Sequence, residues 1–342
     1  MRISPVAADH STPSFAALAD LAAARLGGRA IAASDDFFAS KHNLVKAGPA
    51  IFIPGKYTTR GKWMDGWESR RRRTPGHDWC VVKLGMRGRI RGLNVNTAFF
   101  TGNFPSHCSV DALDTTRPLT ASLASREGDP WATLLDRTPL AGDAYKFIEI
   151  ADDRVWTHVR LNIYPDGGVA RLRVHGEVAV DWSRVAQGGR VVDLAAIEHG
   201  GLVLAASDMH YGAKDNIVMP GRALNMGDGW ETKRRRGPGH DWTILRLGAP
   251  GVLAKIEIDT NHFKGNYPDS ASVDGCFKPG AGIEALSGVH WRELLPPSKL
   301  QASRRHLFTE LRAIGPVSHV RLNIYPDGGI SRFRVHGTLA RD

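Results

Sequence analysis

The sequence has little cysteine and no long apolar segment. Only three of its 342 residues are cysteines. None of them has a cysteine at the matching position of the internal repeat described below, so a duplicated disulfide framework is excluded. Their spacing also lacks the paired C-x-x-C of a zinc site. No run approaches the roughly 18 apolar residues of a membrane helix, and the first residues lack the apolar core of a secretory signal. We therefore expect a cytoplasmic protein without membrane contact.

The common catalytic signatures are missing as well. There is no P-loop, no H-E-x-x-H zinc motif, no G-x-S-x-G nucleophile elbow and no G-x-G-x-x-G after a predicted strand. The sequence also lacks the clustered Asp and His residues of a dinuclear metal hydrolase. We therefore predict no metal or other cofactor, while a stimulatory divalent ion such as Mn²⁺ stays open.

The chain instead contains a long internal repeat. Residues His158–Gly176 and His319–Gly337 are identical at 16 of 19 positions, and further matching segments follow in the same order. A repeat of about 160 residues has the size of a whole domain, well above the roughly 20–50 residues of a solenoid unit. We therefore predict a tail at residues 1–14 and two related domains, unit one at 15–180 and unit two at 188–342.

The pattern within each unit is mainly that of β-strands. In HVRLNIY, Val159, Leu161 and Ile163 alternate with polar residues, as in a half-buried strand. The following PDGG and the returning strand predict a β-hairpin. Helical patterns occur in FAALADLAAARL, VDLAAIEH and PWATLLDR. Many short strands predict an all-β protein of two tandem jelly-roll β-sandwiches, with an up-and-down barrel as the less favoured alternative.

The net charge of +10 is concentrated in two basic runs, Arg70–Arg73 and Lys233–Arg236. Basic runs often mark nucleic-acid binding. Here each run lies inside its unit, between DGWE and PGHDW, and aromatic residues do not interleave with it as a stacking surface requires. We therefore favour an anionic small molecule over nucleic acid as the partner.

Two interpretations of this basic motif stay open. In the first, Glu68 and Glu231 pair with the neighbouring arginines and hold their own loops. In the second, arginines such as Arg234 bind an anionic substrate. The pairs His77–Asp78 and His240–Asp241 are compatible with catalysis or metal binding. Adjacent strand residues point to opposite faces, however, so a packed His and a turn-forming Asp are favoured.

One loop differs informatively between the units. Unit one reads TAFFTGN from Thr97, and unit two reads TNHFKGN from Thr260. Positions shared by both units are best explained as structure, whereas Asn261, His262 and Lys264 are polar residues of unit two alone. A histidine titrates near neutral pH and can transfer protons, and a lysine can bind a carboxylate. A more solvated loop is the alternative explanation.

The polar faces of the repeated strands supply further candidates. They carry Arg160, Tyr164 and His175 in unit one and Arg321, Tyr325 and His336 in unit two. A solvated face is the simplest explanation, but their identity in both units favours a buried or interfacial role.

Four motifs together resemble the allantoicase family: ASDDFF, the DGWE-to-PGHDW segment, T-x-x-F-x-GN-(F/Y)-P and HVRLNIYPDGG. The resemblance covers almost the whole chain from about residue 15. It implies two galactose-binding-like jelly rolls and a homo-oligomer. It also implies a hydrolase of C–N bonds in linear amidines, which converts allantoate to (S)-ureidoglycolate and urea in purine (allantoin) degradation. No catalytic residue is carried over from it.

The residues themselves predict where such a reaction takes place. Hydrolysis of allantoate must protonate a leaving ureido nitrogen and activate a water, and we assign these proton transfers to His262 and Glu231. The residues expected to bind the substrate are Asn261, Lys264, Arg234, Arg321 and Tyr325, with Lys264 and Arg321 on its carboxylate. A site in unit one or at an interface is the alternative. The competing function is a non-catalytic tandem sandwich that binds carbohydrate or another ligand.

Overall fold

The computed structural model describes residues 12–340, and this part of the chain divides into two compact units at the Glu177–Val178 bond. Each unit contains one eight-stranded sheet and only short helices, which confirms the predicted all-β class and the duplicated fold. The predicted tail falls mostly on residues 1–11, which lie outside the described residues.

The strands of unit one are β1 Ala19–Asp20, β2 Arg29–Ala33, β3 Tyr57–Thr58, β4 Gly61–Lys62, β5 Trp67–Glu68, β6 Asp78–Asn96, β7 His107–Leu113, β8 Ala132–Pro139, β9 Tyr145–Glu149, β10 Val155–Tyr164, β11 Gly168–Val169 and β12 Arg171–Val178. Those of unit two are β13 Val192–Asp193, β14 Leu202–Ala206, β15 Trp230–Glu231, β16 Asp241–Asp259, β17 Ser270–Cys276, β18 Arg292–Lys299, β19 Arg305–Phe308, β20 Val317–Tyr325, β21 Gly329–Ile330 and β22 Arg332–Leu339. The helices are α1 Ala121–Ser125 and α2 Trp182–Val185, with 3₁₀ turns at Ser14–Ala17, Ala24–Leu26, Lys41–Val45, Gln187–Gly189, Ile197–His199, Lys214–Val218, Met226–Asp228 and Glu284–Leu286.

One long strand organises each unit. In unit two, the first part of β16 pairs antiparallel with β14 and β20, and its second part pairs with β19 and β22. Register shifts between Arg246 and Gly251 and between Leu253 and Lys255 are the irregularities expected where a strand bends. The strand order of unit two is β13-β22-β16-β20-β17-β18, and the equivalent strands of unit one follow the same order, β1-β12-β6-β10-β7-β8. The sequence predicts two short strands at CVVKL (residues 80–84) and LNVNT (93–97), but both segments, except for Thr97, lie in the single strand β6.

The predicted alternation in β10 is confirmed. Val159, Leu161 and Ile163 are fully buried, and Val320, Leu322 and Ile324 are their buried equivalents in β20. These side chains form the centre of each core, so the intervening polar residues lie on the opposite face of the strand.

The predicted hairpin is wrong. Strand β10 pairs with β6 and β7, whereas β12 pairs with β1 and β6, so the two strands around PDGG are not neighbours. After PDGG the chain forms β11 or β21, which pairs with the DGWE segment as β5 or β15. Period-two alternation identifies a half-buried strand, but it does not identify the partner strand.

The predicted helices are also wrong. FAALADLAAARL contains two 3₁₀ turns around β1, VDLAAIEH contains β13 and a 3₁₀ turn, and most of PWATLLDR is strand β8. Leu21 and Ala22 are fully buried, and β8 pairs with β7. Helix propensity is a weak preference that burial and strand pairing override here.

Candidate active site

Glu231 lies on a backbone that is held from both sides. Strand β15 pairs with β21 on one side, and the Glu231 carbonyl accepts hydrogen bonds from the backbone of Tyr211 and Gly212 on the other. The preceding Trp230 is fully buried, and its indole N–H donates to the Asp208 carbonyl at 2.7 Å. The half-buried side chain of Glu231 therefore starts from a fixed position.

An asparagine from the loop after β16 bonds this carboxylate. Asn266 donates a short hydrogen bond from its amide to Glu231 Oε1. In unit one, Asn103 donates to Glu68 Oε1 at 2.7 Å. Burial raises the pKa of Glu68, although the Asn103 hydrogen bond partly offsets this effect. The asparagine that the sequence comparison assigned to structure is thus the direct partner of the predicted proton-transfer group.

A buried aromatic ring docks this loop onto the turn that follows β20. The Phe263 ring is fully buried, and a Cβ at Gly329 would lie 2.0 Å from it, so only glycine leaves room for the ring. The Gly329 amide also donates to the Asn266 carbonyl at 2.8 Å. The second glycine of PDGG therefore sets the distance between the loop and β21, which brings Asn266 beside Glu231.

His262 lies in the same loop and is oriented through one ring nitrogen. Its backbone φ is 71°, a region that non-glycine residues rarely adopt. Its Nε2 lies 2.9 Å from the Ala223 carbonyl oxygen, and the Asn261 amide approaches the same oxygen at 3.5 Å. A carbonyl only accepts, so the neutral ring carries its proton on Nε2 and presents the lone pair of Nδ1 as a base.

The equivalent residues of unit one share one depression of about 360 Å³. Its lining includes Glu68, Phe99, Thr101 and Asn103. These residues occupy the positions of Glu231, His262, Lys264 and Asn266 in unit two. From this equivalence we infer that the predicted catalytic pair and the exposed Lys264 share one surface of unit two. We call Glu231, Asn261, His262, Lys264 and Asn266 the loop cluster.

The basic runs bond to aspartates, not to Glu68 and Glu231. Arg72 donates to Asp78 at 2.9 Å, and its unit-two equivalent Arg235 makes the same contact with the buried Asp241. The first interpretation of the basic motif is therefore wrong. Asp78 and Asp241 lie only six residues after Arg72 and Arg235, in the PGHDW end of the same motif, so the sequence did contain the partner of each arginine.

Arg234 lies outside the loop cluster. It lines a depression of about 320 Å³ together with Lys233, Arg236, Asp208 and other residues, and no member of the loop cluster contributes to that lining. The Lys233 amide donates to Asp208 at 2.7 Å, which holds the start of the run. Arg234 is exposed and, together with Lys233 and Arg236, forms the basic side of this depression.

Arg321 and Tyr325 form a different polar surface along β20. Arg321 donates to Asp274 through Nε at 3.1 Å and Nη2 at 2.8 Å, and its guanidinium lies over the Trp291 ring at 5.1 Å. The Tyr325 hydroxyl is 3.0 Å from Ser272 Oγ. Their unit-one equivalents line a separate depression that shares no lining residue with the one beside Glu68.

Three members of this second surface, Asn323, Ser272 and Trp291, were missed at the level of sequence, whereas His240 is packed as the sequence favoured. Asn323 donates to Asp274 at 2.9 Å, and the His240 ring packs on Tyr325 with centroids 4.7 Å apart. Ser272 and Trp291 complete the set. Each has an identical residue at the matching position of unit one, and that identity was the available signal.

His336 does not share the surface of Arg321, because β20 and β22 are not neighbours. Burial, with Lys255 and Arg334 nearby, lowers the pKa of His336 to about 4. Burial also lowers the pKa of His175. Both side chains are half-buried, and the lowered pKa favours their neutral form.

No group of three His, Cys, Asp or Glu side chains within residues 12–340 is arranged to hold a metal ion. The cysteines are unpaired and buried, and burial raises the pKa of the Cys108 thiol to about 12, so this thiol is no nucleophile near neutral pH. In the same part of the chain, no helix has the length and apolarity to span a membrane.

Comparison with known proteins identifies the repeat. A family model described as the allantoicase repeat matches residues 19–179 and 192–340. A probable allantoicase of Burkholderia mallei is 49% identical over 335 residues, covering 97% of this chain and 98% of the relative. One from Pseudomonas fluorescens is 49% identical over 331 residues, covering 96% and 98%. The crystal structure of Saccharomyces cerevisiae allantoicase has a TM-score of 0.78 at 34% identity, over 93% of this chain and 92% of that one.

Proposed function

This chain belongs to the allantoicase family, so its reaction is the hydrolysis of allantoate to (S)-ureidoglycolate and urea, and we propose that unit two carries out this reaction at the loop cluster. The observation behind this location is the orientation of His262, whose Nε2–H donates to the Ala223 carbonyl and leaves Nδ1 available. Unit one has Phe99 at this position and lacks the group. The comparisons give no support to a non-catalytic binding protein.

Allantoate carries a carboxylate and two ureido groups on one carbon. In the first step the His262 imidazolium protonates, through Nδ1, the nitrogen of the leaving ureido group. The Glu231 carboxylate removes the N–H proton of the other ureido group. The carbon–nitrogen bond breaks, urea departs, and an acylimine is left on the protein.

In the second step water adds to the acylimine carbon. Neutral His262 takes a proton from the water through Nδ1, while protonated Glu231 returns its proton to the imine nitrogen. Both side chains are thereby restored, and the sum is one water consumed and one urea released. Each positioned proton transfer contributes about 10²–10⁴-fold to the rate.

The remaining members of the loop cluster hold the substrate and the acid. Lys264, which is exposed at the rim, binds the carboxylate, and Asn261 orients a ureido carbonyl. Asn266 keeps one Glu231 oxygen occupied, so the other faces the substrate. Arg234, Arg321 and Tyr325 lie on other surfaces and take no part in this mechanism.

The duplicated scaffold offers a matched test. Glu231→Gln removes the proton acceptor while keeping the shape and the Asn266 contact, so urea release should fall about 10²–10⁴-fold. Glu68→Gln makes the same change in the equivalent frame of unit one and should leave turnover near wild type. Loss of activity in Glu68→Gln with activity retained in Glu231→Gln would move the reaction to unit one.

Assembly, compartment and cofactor remain proposals. We propose a homo-oligomer in the cytoplasm that binds no nucleic acid. Support comes from exposed apolar side chains on the segments beside Glu231 and Ala223: Met209, Tyr211, Leu224 and Met226. A solution mass of 37.3 kDa, that of one chain, would contradict the oligomer.

We further propose that the reaction needs no metal, so urea release should survive exhaustive chelation.

A further inference from the structure

The unit-one equivalent of the polar surface along β20 is a depression of about 430 Å³, a volume within the roughly 300–1,000 Å³ of small-molecule sites. It lies along β7, β8 and β10 and contains no member of the Glu68 depression. Its lining includes an aromatic pair, Trp131 and Tyr164, and an arginine, Arg137. The proposed reaction makes no use of it.

The inner wall of this depression is a closed network. Arg160 donates to Asp111 at 2.8 Å, and its other nitrogen bonds to backbone carbonyls. Asn162 donates to Asp111 at 2.8 Å, and Ser109 bonds the Tyr164 hydroxyl at 2.9 Å. These groups are fixed by one another, so they form a rigid floor.

The outer wall carries polar and charged groups that lack an ion-pair or hydrogen-bond partner within the described residues. The Arg137 guanidinium lies 4.5 Å from the centre of the Tyr164 ring, and among the described residues no carboxylate pairs with it. Glu127 and Asp136 also line the depression without an ion-pair partner in residues 12–340. Asn162 is only 3% exposed, and its carbonyl oxygen Oδ1 has no hydrogen-bond donor within the described chain. Buried acceptors are rarely left unpaired in this way.

Unit two shows what the same frame looks like without these groups. Asn323 Oδ1, the equivalent of the unpaired oxygen, lies 3.3 Å from His240 Nε2. Pro296 and Pro297 replace Asp136 and Arg137, and Ser287 stands opposite Glu127. The floor is thus common to both units, whereas Glu127, Asp136 and Arg137 have no charged counterparts in unit two.

We propose that this depression binds a small carboxylate that also carries N–H donors, namely a ureido acid. The Arg137 guanidinium receives the carboxylate, and Glu127, Asp136 and Asn162 Oδ1 accept the N–H groups. The Trp131 and Tyr164 rings, over which Arg160 and Arg137 already lie, bound the depression at its sides. A ligand with only a carboxylate would leave the acidic groups facing each other, and a ligand with only N–H groups would leave Arg137 unused.

Hydantoate, a ureido acid with a single ureido arm, is a suitable probe because the proposed elimination needs a second arm. Calorimetric titration of the full chain should detect binding, and Arg137→Gln should weaken it about 10- to 100-fold, as expected for loss of a charged hydrogen-bond donor. Arg137→Lys should restore part of the affinity. Arg117→Gln, an equal charge change at an exposed position outside the depression, should bind like wild type, whereas acetate and urea alone should bind far more weakly than hydantoate.

Two outcomes would overturn the proposed site: no hydantoate binding to the wild-type chain, or equal affinity in wild type and folded Arg137→Gln. Urea release by the same variants keeps this test separate from that of the loop cluster. Activity lost in Arg137→Gln but kept in Glu231→Gln would support ligand binding here and place the reaction in this depression, against the proposed function.

Discussion

At the residue scale, positions 99 and 262 provide an internal comparison. Phe99 has a φ of 68° and His262 a φ of 71°, so the two units hold the same unusual backbone conformation with different side chains. A φ in this region costs energy for any residue with a Cβ, and both units accept it. The conformation therefore belongs to the scaffold, and only the imidazole is specific to unit two.

This comparison makes His262→Phe a clean substitution. Phenylalanine is already accommodated by this backbone in unit one, so the variant should fold and melt near wild type. Loss of the imidazole removes the proton transfer that His262 makes in each step, and urea release should fall by at least about 10²–10⁴-fold. Activity and melting temperature are measured on the same preparation.

The reverse change supplies the control. Phe99→His alters the same backbone position in unit one and should leave urea release unchanged. Wild-type turnover in a folded His262→Phe variant would remove His262 from the mechanism.

At the scale of elements, the sequence predicts strands better than their partners. The alternation around Val159 identifies β10 because a half-buried strand must alternate. It contains no information on whether β12 lies beside β10 or two strands away. The long strand β6 separates them, and a strand of this length was divided into two at the level of sequence. The local pattern is set by burial, whereas the pairing depends on contacts far apart in the chain.

The same limit explains how much of the candidate site could be predicted. His262 and Lys264 stood out because the units differ there, and Glu231 because of its motif. Asn266, the partner of Glu231, was hidden because it is shared by both units and looked structural. Arg321 was grouped with them although Asp274, distant in sequence, already holds it.

At the scale of the whole molecule, duplication repeats buried and half-buried histidines as well as strands. His158 and its equivalent His319 lie at the start of β10 and near the start of β20, and His175 and His336 lie on β12 and β22. Burial lowers the pKa of all four, and that of His158 falls to about 4. Both units therefore contain neutral imidazoles that the unfolded chain would protonate at mildly acidic pH.

Because of these histidines, we expect acid to lower the free energy of unfolding at pH values well above those at which the carboxylates titrate. A histidine with an ordinary pKa near 6.5 when unfolded and about 4 when folded binds a proton more readily in the unfolded state. Its contribution to the free energy of unfolding is therefore complete above about pH 6.5 and is lost as the pH falls towards 4. Glu68 and Asp193, whose pKa burial raises, act in the opposite direction. The denaturant midpoint should be lower at pH 5 than at pH 7.5, and the double variant His158→Gln/His336→Gln should show a smaller difference. An equal or higher wild-type midpoint at pH 5 would contradict the neutral, buried state of these side chains.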